Sequence, residues 1–392
     1  MKKLREYLDK IKPNFEEGGK HPGLKSTFEA FESFLFVPNT VTPSKGAHIR
    51  DSVDLKRTIT VVIIALLPAL FFGMWNVGNM HYAAFGHPDE GFFSKFFYGL
   101  GQVLPIIVVS YVSGLFLEFL FAQVRKEQVN EGFLATGLLI PMIVPVDVPL
   151  WMVAIATMFA VLIGKEVFGG TGMNIVNPAL LARAFLFFAY PSKMSGDKVW
   201  IAGLENPSET EKIVDGFSGA TPLADLAANA APRYSVSDMF FGTIPGAIGE
   251  TSTLCILIGA AILIFTNIAS WKIMLSAVIG ALLMGGIYNV FGSNTDVYMQ
   301  LPCWEHLILG GFAFGVVFMA TDPVTSAQTE TGKWIYGFMI GVMALLVRVI
   351  NPAFPEGVML AILLMNVFAP LIDHMVIQAN IKRRLKRAEA IK

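Results

Sequence analysis

Charged side chains are scarce in this chain, at 15% of its 392 residues against 54% hydrophobic, where soluble domains carry roughly 25% charge and 45–50% apolar residues. A water-soluble globule of this size has too little interior to hide that much apolar surface. Soluble, disordered and fibrous architectures are therefore excluded, and the mean hydropathy of +0.59 reads as surface facing lipid. Cysteine is nearly absent. Cys255 and Cys303 stand far apart without Cys-x-x-Cys spacing, which rules out a four-thiolate cluster or a zinc site made by cysteine alone. The polar start, MKKLREYLDKIKPNFEEGGKHPG, lacks the apolar stretch and small-residue cleavage site of a signal peptide and is expected to stay in the cytoplasm.

What is there is apolar runs close to the length that crosses the hydrocarbon as a helix, about 20 residues. Ten are readable: 58–77, 100–124, 132–144, 150–164, 178–190, 253–267, 272–291, 306–320, 335–350 and 358–377. The fold class expected is an all-α polytopic membrane protein. Some runs are broken by glycine and proline, and the third, fourth and fifth are short, as segments that tilt, re-enter or line a cavity are. An even count puts both termini on one side. Placing them in the cytoplasm also puts Arg125, Lys126, Lys165, Lys272 and Lys333 there, as the positive-inside rule asks. The basic tail Lys382, Arg383, Arg384, Lys386 and Arg387 then reads as a topology anchor and not as a nucleic-acid surface. The polar stretch 191–250 faces outside. The expected organisation is a cytoplasmic arm (1–57), a five-helix membrane half (58–190), an external segment (191–252), a second five-helix half (253–377) and the tail (378–392). Asn177-Pro178 precedes the fifth run and Asn351-Pro352 the tenth, which fits two inverted repeats, although Asn-Pro also opens ordinary turns.

Ionisable residues at membrane depth are costly and mark either a pathway or a paired structural site. Glu118 lies inside SGLFLEFLFA, Asp373 inside APLIDHMVI, and Asp322 opens a loop in FMATDPVTS. Their carboxylate oxygens suit a sodium ion or a proton. The structural alternatives are an interhelical hydrogen bond for Glu118, a turn or helix cap for Asp322, and an ion pair for Asp373. Arg183, inside the fifth run, requires a counter-charge or carbonyls. In GKEVFGGTGMNIVNPALLARA, Gly169, Gly170 and Gly172 permit close backbone approach, while Thr171, Asn174 and Asn177 supply donors and acceptors suited to a planar, multiply hydrogen-bonding ligand. This stretch is neither G-x-G-x-x-G nor a P-loop; a plain turn between two spans is its alternative. The external stretch DGFSGATPLADL reads, on residues alone, as a turn and helix cap.

That stretch closely resembles the flavinylation signal Asp-x-x-Ser-Gly-Ala-Thr, in which a flavin transferase joins FMN through its phosphate to the final threonine, here Thr221, with Asp215, Ser218, Gly219 and Ala220 completing the motif. The rest of the chain resembles the B-subunit family of sodium-translocating NADH:quinone reductases. AHIRDSVDLKR, RKEQVNEGF, GKEVFGGTGMNIVNPALLARAFLFFAYP, IPGAIGETSTL, HLILGGFAFGVVFMATDPV, RVINPAFPEGVMLAILLMNVFAPLIDH and NIKRRLKR carry the likeness over nearly the whole length. One stretch departs: 200–215, with GLENPSETEKIV, looks longer than the family's, which puts the local packing of that loop in question.

The resemblance implies covalent FMN on Thr221, non-covalent riboflavin at Gly170, Thr171, Gly172, Asn174 and Asn177, a quinone site involving the N-terminal part and Gly114, and a sodium path through Glu118, Asp322 and Asp373. It implies a bacterial cytoplasmic (inner) membrane location with Thr221 on the external side, partner subunits A, C, D, E and F, the flavin transferase during maturation, and ubiquinone or menaquinone as electron acceptor. Two alternatives stand beside it: the D subunit of an Rnf-type ferredoxin:NAD oxidoreductase, which shares the flavinylation motif, and a non-redox secondary ion transporter.

Overall fold

A computed structural model describes residues 2–15, 18–36, 55–127, 129, 131–205, 207, 213–215, 217–293, 295–351 and 356–390. Much of the arm, including 47–54 of the AHIRDSVDLKR stretch, lies outside the described residues, as do parts of the 200–215 loop, Gly216 and Pro352. Two helices of the arm, α1 (Lys2–Ile11) and α2 (Lys25–Leu35), are tied by Arg5 and Lys12, which both pair with Glu32 at 3.0 and 2.9 Å.

The first half continues with α3 (Leu55–Ala84), α4 (Phe92–Arg125), α5 (Phe133–Met142), α6 (Leu150–Gly164, continued by a 3-10 turn to Phe168) and α7 (Pro178–Ala189). Between the halves lie three short helices, α8 (Pro191–Met194), α9 (Pro222–Ala227) and α10 (Val236–Phe241). The second half holds α11 (Thr253–Phe265), α12 (Trp271–Phe291), a short α13 (Val297–Gln300), α14 (Phe312–Phe314) running into a π-helical turn at Gly315–Met319, α15 (Glu330–Ile350) and α16 (Val358–Glu389). No strand occurs among the described residues.

Among the described residues six helices are long and apolar enough to cross a membrane: α3, α4, α6 with its 3-10 extension, α12, α15 and α16. Three of the sequence runs, at α5, α7 and α11, are shorter apolar helices. The run 306–320 departs from expectation: it is a 3-10 turn, three α-helical residues and the π turn. Gly310, with φ +60°, interrupts the helix, and Phe312, Phe314, Met319 and Ala320 are all buried in protein. Irregular backbone at membrane depth is tolerated where protein covers it. α16 runs as continuous helix through the basic tail residues to Glu389.

Packing follows the same scheme in both halves. The second element of each half packs on the fourth and the fourth on the fifth: α4 on α6 and α6 on α7, then α12 on α15 and α15 on α16. The broken third element is wedged among the first, second and fifth: α5 among α3, α4 and α7, the π turn among α11, α12 and α16. The halves meet where α3 packs on α11 and α7 on α16. Small residues make the closest crossing possible, because without water between helices packing itself drives association. A Cβ at Gly341 of α15 would lie 2.0 Å from the Ala277 carbonyl oxygen of α12, and one at Gly280 would lie 2.2 Å from that of Phe338.

The segment between the halves is folded onto the helix ends. Val214 N–H donates to the Ala84 carbonyl at 3.0 Å, closing the end of α3. Met80, Ala84 and Phe85 form a small apolar cluster with Ile201 and Leu204. Asp147, in the turn between α5 and α6, accepts the Gly203 N–H at 3.0 Å. Burial pushes the Asp147 carboxyl up to about 6 in spite of that bond.

Candidate functional site

Helix α7 is 12 residues long and has at each end a largely apolar cavity with a few polar side chains in its wall. From Asn177, at one cavity, to Phe187, at the other, is ten residues, about 15 Å along the axis at 1.5 Å per residue.

The cavity at the Phe187 end has a volume of about 60 Å³ and is lined by Thr221, Trp200, Thr251, Glu250 and Glu356 among others. Thr221 is the N-cap of α9 and Pro222 its first helical residue, the order in which a threonine oxygen and a proline suit a helix start. Its Oγ1 accepts the Ala224 N–H at 3.2 Å. The bond uses an oxygen lone pair and leaves the hydroxyl hydrogen unengaged, so the oxygen is held in place while still open to substitution. Gly219 is required by close approach, since a Cβ there would lie 2.3 Å from the Asp197 carbonyl oxygen. Ser218 Oγ accepts the Ala220 N–H at 3.4 Å, and Asp215 is exposed. The motif residues thus set a tight turn that delivers Thr221 to the cavity.

Beneath this cavity Arg183 meets the demand its sequence position posed. Its guanidinium donates to Glu250 at 2.9 Å, to Glu356, and to the Ile143 carbonyl at the end of α5. Arg183 is only 3% exposed, so the two carboxylates are what allow its charge at this depth. Burial pushes the Glu250 carboxyl up while Arg183 pulls it down, and burial is the larger effect.

The cavity at the Asn177 end, about 140 Å³, is lined by Thr171, Asn174, Asn177, Lys165 and Asp322 among others. Three glycines shape the approach to it: Gly169, Gly170 and Gly172 have φ of +118°, +94° and +90°, values that side-chain-bearing residues rarely adopt. Asn177 is the N-cap of α7: its Oδ1 accepts the Ala179 and Leu180 N–H groups and its Nδ2 donates to Asp322 at 3.2 Å. One amide hydrogen is left for a ligand. Asn174 donates to the Val176 carbonyl at 3.3 Å. The Thr171 hydroxyl is buried without a partner. An orphaned hydroxyl beside two amides fits the edge of an isoalloxazine, which alternates carbonyl acceptors with a ring N–H. Asp322 also accepts from the Val324 N–H and the Thr325 hydroxyl, each at 3.0 Å; its surroundings push the carboxyl up while these bonds hold it down.

The three carboxylates singled out in the sequence do not converge. Glu118 is paired with Lys165, both nearly buried, and Asp322 lines the cavity. Asp373, on α16, binds the Gln328 N–H at 2.7 Å, the Thr329 N–H at 2.9 Å and the Thr329 hydroxyl at 2.5 Å, and so anchors the loop that begins at Asp322. At Gly114 a Cβ would lie 1.9 Å from the Phe133 ring, which packs directly on α4. Among the described residues no cluster of three metal-ligating side chains occurs. Sequence reasoning missed Lys165, Glu250, Glu356 and Thr251. The available signal was Arg183 itself, which required acidic partners near the ends of other spans.

The long apolar helices, the short broken ones and the charges paired inside them define a multi-pass membrane protein with polar sites in its interior. A sequence profile of the NQR2, RnfD, RnfE family matches residues 42–382, and the chain belongs to that family. It is 48% identical to the B subunit of the Na(+)-translocating NADH-quinone reductase of Ectopseudomonas mendocina (strain ymp), with 98% of this chain and 99% of the relative covered. The same-named proteins of Stutzerimonas stutzeri (strain A1501), at 48% with 98% and 99% covered, and of Chromohalobacter salexigens, at 47% with 99% and 97% covered, are similar to it to the same degree.

Proposed function

We propose that this chain is the membrane subunit of a sodium-translocating NADH:quinone oxidoreductase in a bacterial cytoplasmic membrane, working with partner subunits A, C, D, E and F. The observation that carries the reading is likeness to the B subunits over nearly the full length, joined to a motif threonine held at a cavity. In this reading a flavin transferase joins FMN to Thr221 on the external side, and riboflavin occupies the cavity at Thr171, Asn174 and Asn177 on the cytoplasmic side. Flavins supply one-electron transfer between donor and quinone. Helix α7 keeps the two sites about 15 Å apart, and Arg183 with its carboxylates fixes the helix between them. The packing scheme shared by the two halves supports a repeat of five elements; ten spans, inversion of the second half and cytoplasmic termini belong to the same reading.

The test is reconstitution of the complex in liposomes. NADH with a quinone is expected to drive sodium across the membrane; sodium movement that requires ferredoxin and NAD instead would assign the chain to the Rnf branch of its family.

For the second flavin, Thr171→Val with Asn174→Ala is the informative variant. Asn177 is unsuitable because alanine there also removes the cap of α7, a loss of about 1 kcal/mol. The double variant is expected to lose most extractable riboflavin while the flavin on Thr221 stays, as read by flavin extraction followed by fluorescence of the denatured chain. Undiminished extractable riboflavin would move the site elsewhere. Sodium at Glu118 must displace an ammonium group, because Lys165 already occupies that carboxylate.

A further inference from the structure

The side chain that occupies Glu118 also lines the riboflavin cavity. Lys165 ends α6; its ammonium donates to Glu118 of α4, and the residue borders the cavity beside Thr171, Asn174 and Asp322. The pair is closed off from water, with side-chain exposures of 6% and 5%. Its neighbour Glu166 is already neutralised by Arg125, which donates to the carboxylate at 2.9 Å and to the backbone carbonyl at 2.5 Å. Among the described residues lining the cavity, Lys165 is the one cation and Asp322 the one anion.

We propose that Lys165 is a charge-exchange residue that couples electron arrival in this cavity to sodium binding at Glu118. The proposal rests on the reading that the cavity holds a flavin. With no added charge in the cavity, the ammonium stays on Glu118 and keeps sodium off it. An electron arriving from the upstream carrier places one negative charge in a region of low dielectric, where the nearest mobile cation responds most strongly. Arg125 is committed to Glu166. Lys165 carries its charge on a flexible four-carbon stem and can turn toward the cavity without backbone movement. Glu118 is then an uncompensated carboxylate at membrane depth and takes one sodium ion. The charges balance: one electron enters, one ammonium changes partner, one Na+ binds, and no covalent bond is made or broken. When the electron leaves to quinone, the ammonium returns to Glu118 and the sodium ion is released.

This makes Lys165 a positioning residue, and its effects are measurable apart from turnover. In the intact purified complex, Lys165→Met is expected to lower the midpoint potential of the extractable flavin, because a nearby positive charge is lost, and to remove the sodium dependence of that potential. The sodium concentration needed for half-maximal quinone reduction should fall by about tenfold, within the usual range of coupling between two sites. Lys165→Arg should restore the potential. In a Glu118→Gln background, Lys165→Met should still shift the potential and no longer change the sodium requirement. Should the single variant fail to assemble, Lys165→Gln combined with Glu118→Gln leaves a neutral hydrogen-bonding pair, and covalent flavin on Thr221 reports its assembly. That variant must show the same lowered, sodium-independent potential. A flavin potential and sodium requirement unchanged in these variants overturn the proposal. A wild-type complex without extractable flavin would instead overturn the reading on which it rests.

Discussion

Thr221→Ala is expected to abolish covalent flavin on this chain and to bring sodium-dependent quinone reduction by the complex down to background. The effect is all-or-none because the phosphoester needs a hydroxyl at the N-cap of α9, and alanine has none. The structural loss is small by comparison: removing the side-chain cap costs about 1 kcal/mol, so the chain should still reach the membrane and retain its extractable riboflavin. Thr221→Ser separates the two effects, because serine keeps both the hydroxyl and the acceptor for the Ala224 N–H and should therefore retain flavin. Fluorescence of the denatured chain on a gel checks both variants. Fluorescence that survives Thr221→Ala would place the flavin on another residue.

The largest expected effect on stability is at Arg183. Arg183→Met leaves the buried Glu250 and the half-buried Glu356 without their counter-charge and deprives the Ile143 carbonyl of its donor. Breaking a buried ion pair from one side costs about 3–5 kcal/mol, enough to unfold a marginal domain. The chain should be depleted from the membrane fraction, and what remains should melt at a markedly lower temperature. Pairs in partial contact with water, such as Lys193 with Glu205, are worth about 1 kcal/mol at most, and Lys193→Met provides the control. Adding Glu250→Gln and Glu356→Gln to Arg183→Met removes the stranded charges and should recover much of the loss. A melting temperature unchanged by Arg183→Met alone would mean that water reaches the cluster.

Features carried by neighbours in the chain were legible in the sequence. Apolar length located the six long helices, and asparagine before Pro178 placed the start of α7, because both are local signals. Gly169, Gly170 and Gly172 were legible as a place of close backbone approach, and the structure adds their positive φ. Features that depend on partners distant in sequence were not legible. Lys165 looked like a topology marker, and only the packing of α4 on α6 brings it to Glu118, 47 positions away. Arg183 demanded counter-charges, but their identity waited on two loops 67 and 173 positions distant. The run 306–320 had the composition of a regular helix, and only its burial in protein explains why its backbone can be irregular. Asp373 was legible as a carboxylate in an apolar helix, but not its hold on the start of α15 through Thr329, 44 positions away.

Peptide mapping of the chain from the intact complex, after denaturation and separate collection of everything that dissociates, tests the central claim most directly. The account predicts one flavin phosphate on the peptide containing Thr221 and riboflavin in the dissociated fraction. An unmodified Thr221 peptide from complex that reduces quinone would contradict it.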